Sequence, residues 1–169
     1  SIDDDALVAF TEALERCRSW NPPGDEAEVA QLMAERLRGF GLEVETDRVA
    51  PRRPNVYARL RGKGGGPGHL LLVGHLDTVP PGGTGWKHDP LSGLLTEDGR
   101  IYGRGTADMK GGLAALVFAA GALARSGFEP ASDLVVVGTV GEEVDCLGAQ
   151  AAVETGLLDG VGAIAIPEP

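Results

Sequence analysis

Six ionisable side chains stand out because they fall where apolar runs end or a turn begins: His75 and Asp77, Asp108, Glu142 and Glu143, and Glu168. Five carboxylates gathered in one cleft would repel, and several would have to take up protons unless cations neutralised them. One imidazole among carboxylates, with no thiolate, suits zinc in a hydrolytic site, or manganese or cobalt in its place. His75 and Asp77 are two residues apart, so on an extended segment their side chains point the same way. That suits a histidine ligand whose other ring nitrogen is held by a carboxylate. Glu142 and Glu143 are adjacent and therefore diverge, which leaves one for a metal and the other free as a base. Each piece alone has an ordinary reading. A His-x-Asp at a strand end is more often a satisfied polar loop, and a Glu-Glu pair is commonly the solvated start of a helix. Glu168 between two prolines means nothing by itself; the joint occurrence is what needs explaining.

The elements that must position these groups follow from periodicity. Leu7, Phe10, Leu14 and Cys17 recur at helical spacing, predicting a helix from about Asp3 to Arg18 with acidic residues at its N-terminus. Asn21-Pro22-Pro23-Gly24 breaks the chain, and a second helix is expected over roughly Asp25 to Arg38, with Gly39 able to stop it. Alternation over Leu42–Val49 and Asn55–Arg61 predicts two half-buried strands. His69–Val73, Leu134–Val140 and Val161–Ile166 are continuous apolar runs and read as buried strands. Asp98-Gly99 predicts a hairpin joining Leu91–Thr96 to Arg100–Tyr102. Helices are expected over Met109–Ser126 and Leu147–Thr155. Buried strands alternating with helices predict an α/β fold, a largely parallel or mixed sheet covered on both faces, in which ligands bind beyond the carboxyl ends of the strands. His75, the Glu142-Glu143 pair and Glu168 each follow one of those buried strands.

The 169 residues suffice for one domain with a real core. A net charge of -10 argues against nucleic acid, whose phosphates such a surface would repel. No apolar run approaches the ~20 residues that span a bilayer, so no membrane partner is expected. Cys17 and Cys146 lie far apart, which favours a reduced cytoplasmic setting over a disulfide framework. The glycines of Gly103-Arg104-Gly105 lack the third glycine and the Lys-Ser/Thr ending of a phosphate loop. No Gly-rich turn follows the first strand either, which sets aside a dinucleotide-binding oxidoreductase.

In order along the chain come Leu72-Val73-Gly74-His75-Leu76-Asp77-Thr78-Val79-Pro80, Trp86 with Asp89-Pro90, and Gly99-Arg100-Ile101-Tyr102-Gly103-Arg104-Gly105. Ala107-Asp108-Met109-Lys110-Gly111-Gly112, Gly141-Glu142-Glu143 and Glu168-Pro169 complete the series. This pattern resembles the metallopeptidase family of acetylornithine deacetylase, succinyl-diaminopimelate desuccinylase, aminoacylase and the bacterial glutamate carboxypeptidases. The resemblance implies a three-layer αβα fold of the zinc-dependent exopeptidase type, with a mostly parallel mixed sheet. It also implies two zinc ions, with cobalt or manganese as substitutes. His75 and Glu168 would hold one, Asp108 would bridge both, and Glu143 would hold the other. Glu142 would be the general base and acid, and Asp77 would orient His75. Two metals about 3.5–4 Å apart would share a water and polarise the scissile carbonyl of an N-acyl amino acid or short peptide.

The sequence departs from that family at its end. There the sheet continues past Glu168, a smaller lid domain is inserted, and a later histidine completes the second metal site. Residues 1–169 are therefore expected to form the N-terminal part of a catalytic metal-binding domain, with the second site one ligand short. His69 and His88 read as edge and loop residues rather than as that ligand. The alternative is a metal-binding domain of the same fold with little or no turnover alone. No oligomeric state follows from the sequence.

Overall fold

The computed structural model describes residues 1–156 and 159–169. Helix α1 (Asp4–Arg16) opens on Asp3, whose carboxylate accepts the Ala6 N–H, and it buries Phe10 and Leu14. Helix α2 (Ala27–Gly39) buries Val29, Met33 and Leu37, positions at helical spacing. Strands β1 (Glu43–Ala50) and β2 (Arg53–Leu60) form an antiparallel ribbon. They are followed by β3 (His69–His75), the two-residue strands β4 (Leu94–Leu95) and β5 (Ile101–Tyr102), and helix α3 (Gly111–Arg125). Strand β6 (Leu134–Thr139), helix α4 (Leu147–Glu154) and strand β7 (Val161–Ala165) complete the order.

Five strands make one mixed sheet in the order β1-β2-β6-β3-β7. β2 runs antiparallel to β6, while β6–β3 and β3–β7 are parallel. The sheet separates two apolar layers because strand side chains alternate. Val56, Ala58, Leu72, Leu134 and Val136 face a core with α1, α2 and α3, whereas Tyr57, Leu71, Val135 and Val137 meet Ala152 of α4. This is the three-layer αβα arrangement expected from the sequence. At the edge, β7 has β3 as its neighbour and leaves Ile164 exposed.

Three expectations need correction. Strand β7, expected to be buried, lies at the edge of the sheet with residues 162–165 exposed, because among the described residues only β3 flanks it. The long helix begins at Gly111 rather than Met109, because Asp108 (φ -121°, ψ 99°) and Met109 (φ -128°, ψ 30°) lie outside the helical region. The stretch Thr106–Arg125 is also long and apolar enough by composition to cross a bilayer, which the sequence reading did not anticipate. Half of it is buried inside the molecule, where Leu113, Val117 and Phe118 belong to the main core.

Candidate metal centre

Parallel register decides where the ionisable groups emerge. His75 pairs with Thr139 at the ends of β3 and β6, and Leu72 pairs with Ala165 at the end of β7. The segments just beyond these strands carry Asp77, the Glu142-Glu143 turn and Glu168, so all leave the sheet at one edge. Asp108 reaches the same edge from the irregular turn Thr106–Lys110.

The His75 ring is buried beneath three half-exposed carboxylates. Its Nε2 lies 3.0 Å from Asp108 Oδ1, 3.6 Å from Glu168 Oε2 and 3.9 Å from Glu142 Oε2. Ligand atoms of His75, Asp108 and Glu168 all fall within 4.8 Å of one another. Glu143, expected as a ligand, falls outside that group. Its Oε1 accepts the Val79 N–H at 3.2 Å, and the charge of Asp108 still acts on it. His69 begins β3 at the far end of the strand, and His88 packs edge-on against Tyr102 with ring centroids 5.1 Å apart.

Asp77 turns out to be a hub rather than a partner of His75 alone. The His75 Nδ1 hydrogen bond goes to the Asp77 backbone oxygen at 2.9 Å, with carboxylate Oδ1 further off at 3.6 Å. The carboxylate itself accepts the N–H groups of Glu142 (3.1 Å) and Glu143 (3.2 Å) and the side-chain amide of Asn21 (2.8 Å). One buried anion thus ties the β3 end, the glutamate turn and the Asn21 loop together. Burial alone would raise its pKa, but the neighbouring His75 ring and the bonds from Asn21 and Glu143 bring it below the ordinary value.

The remaining shifts describe a site crowded with negative charge. Burial disfavours the charged His75 ring, yet the Asp77 and Glu168 carboxylates outweigh it and lift the imidazole to about 9. Glu143 is raised by burial and then by repulsion from Asp108. Glu168 is raised by burial and by its contact with Asp108, against the pull of His75. Carboxylates crowded against one another in this way are the groups a divalent cation stabilises, and one nitrogen with several oxygens is a donor set for zinc, manganese or cobalt. The residues present therefore fit such an ion, whose binding would displace the His75 proton.

Sequence reasoning missed three buried groups near this edge. Asn21 is the amide that holds Asp77, and Lys110 is fully buried with its Nζ on the Cys17 carbonyl at 2.8 Å. Glu15 is buried, and among the described residues neither carboxylate oxygen has a hydrogen-bond partner of good geometry. A signal existed for Lys110, a lone cation between Met109 and Gly111 at the head of an apolar helix.

The structure thus gathers one imidazole and three carboxylates at the carboxyl edge of an αβα sheet. The family model described as Peptidase family M20/M25/M40 matches residues 71–169, and the chain belongs to that family. It is 44% identical over 117 residues to a succinyl-diaminopimelate desuccinylase of Gluconobacter oxydans, covering 66% of this chain and 28% of the relative. A probable succinyl-diaminopimelate desuccinylase of Staphylococcus epidermidis is 34% identical over 145 residues, covering 85% and 35%. Among solved structures, human carnosine dipeptidase 1 superposes with a TM-score of 0.79 at 26% identity, over 96% of this chain and 38% of that one. The chain thus spans about a third of the length of the curated relatives it matches.

Proposed function

We propose that residues 1–169 form the N-terminal part of a catalytic metal-binding domain that hydrolyses an amide bond in N-acyl amino acids or short peptides. The observation that carries this reading is the approach of Asp108 and Glu168 to His75 Nε2 at the carboxyl edge of the sheet. The desuccinylase relatives and the dipeptidase neighbour support the substrate class. His75, Asp108 and Glu168 would hold one ion and Glu143 a second, with Asp108 shared between them. Zinc is the proposed ion, with cobalt or manganese able to replace it. Such a pair supplies Lewis acidity for the carbonyl and lowers the pKa of water.

The chain's own residues do the rest. Asp77 holds the His75 ring through its carbonyl and fixes the glutamate turn through its carboxylate. Glu142, half-exposed beside His75, takes a proton from water and passes it to the departing amine, which otherwise leaves badly. The free thiols of Cys17 and Cys146 support placing this chemistry in a reducing cytoplasm.

Glu142→Ala in the full-length protein tests the assignment. Turnover of a panel of N-acyl amino acids and dipeptides should fall by at least about a hundredfold while metal stoichiometry is unchanged. A metal-replete variant that keeps its activity would remove Glu142 from the role.

A further inference from the structure

Lys110 closes the turn that carries Asp108, yet its side chain is sealed inside the molecule. Its backbone N–H donates to Gly105 O at 2.8 Å, and its Nζ donates to the Cys17 carbonyl at 2.8 Å. Cys17 is the residue on which α1 ends. The segment that follows it is bound to the other half of the site. Ser19 O accepts the Thr78 N–H at 3.0 Å, Asn21 N–H donates to Thr78 O at 2.8 Å, and the Asn21 amide holds Asp77. The turn also packs directly on this structure: Gly105 has φ +105°, and a Cβ there would collide with Thr78 and come within 3.3 Å of the Lys110 stem. Asp108 and His75 are therefore both referenced to one short stretch, residues 17–21, the first through Lys110 and the second through Thr78 and Asp77.

We infer that Lys110 is a positioning residue, which sets Asp108 against His75 through the hydrogen bond from its Nζ to the Cys17 carbonyl. This rests on the reading of His75 and Asp108 as metal ligands. An apolar side chain of similar length would fill the same space without burying a cation, which is costly. What the ammonium adds is a directed donor. Glu15, buried nearby, supplies the opposing charge.

The test uses the full-length protein, with Zn2+ as the probe, in the variants Lys110→Met and Glu15→Gln/Lys110→Met. Methionine keeps the stem and removes the donor. Zinc affinity is measured by chelator competition well below the Tm of each folded variant, and Tm is measured metal-free. In the double variant neither buried charge is left alone, so Tm should recover relative to Lys110→Met. Its zinc affinity should nevertheless stay about 10–100-fold weaker than that of the parent, the usual effect of losing a group behind a ligand. Parent-like affinity in either folded variant overturns the inference, because Lys110 would then matter only for packing. A parent protein that takes up no Zn2+ would instead sink the reading of the site itself.

Discussion

Glu26 and Glu15 are both shut off from solvent, and the chain gives them different cation partners. Glu26 meets the fork of Arg53, with Nε 2.9 Å from Oε2 and Nη2 2.8 Å from Oε1. The guanidinium is itself wedged between two turns. A Cβ on Gly24 would lie 2.5 Å from its Cζ, and one on Gly141, just before the glutamate pair, 3.0 Å from Nη2. Glu15 instead has Lys110 as its neighbouring cation, and that ammonium spends its hydrogen bond on a backbone carbonyl. Burial therefore dominates and lifts Glu15 to about 7, with Lys110, Thr106 and Arg104 pulling it only part of the way back. A planar fork can satisfy both oxygens of a carboxylate at once, while a lysine acts as a point charge. Burial raises both carboxylates above the ordinary value; at Glu26 the hydrogen-bonded Arg53 fork works against it, whereas Glu15 is left at about 7.

The largest effect that would sharpen this contrast is expected at Arg53. Arg53→Met strands Glu26 without its counter-charge and should cost about 3–5 kcal/mol in chemical denaturation. A loss near zero would mean that Glu26 is not held as an anion.

Glu15→Gln should act more weakly and with the opposite sign. The folded protein binds the Glu15 proton more tightly than the unfolded chain does, with a pKa of about 7 against 4.5. Wild-type stability at this site is therefore fully present below 4.5 and is lost as pH rises towards 7. Glutamine has no proton to lose, so the variant should match the parent near pH 4 and exceed it by roughly 3 kcal/mol at about pH 8. An equal difference at both pH values would break the comparison. The smallest effect belongs to the surface. Arg61 pairs with Glu43 at 2.8 Å while both side chains stand mostly in water, and Arg61→Ala should leave the denaturation midpoint unmoved.

The frame of the molecule was legible because it is written in apolar runs. His69–Val73, Leu134–Val140 and Val161–Ile166 became β3, β6 and β7 within two residues at each end. Once those strands lie parallel, His75, the glutamate turn and Glu168 must share an edge, and their meeting could be anticipated. The support behind them could not. Glu15 stands next to Leu14 on an amphipathic helix, where a charged residue ordinarily faces water, and only tertiary packing against Gly103 and Lys110 seals it in. Asp77 was expected to serve His75, but its bonds to the Glu142 and Glu143 amides join segments that no local pattern connects. The start of α3 was misplaced for a related reason. Propensity favours helix through Met109, and the backbone there is bent into a turn that presents Asp108.

The parallel pairing of β3 with β6 and β7 has a kinetic consequence. Such contacts are non-local, so the loop entropy of the intervening helices is spent before any of them forms. His75 and Glu168 stand together only once the last strand has docked beside β3. Under the proposed metal-holding role, capture of a cation by these two side chains during refolding would therefore report completion of the sheet.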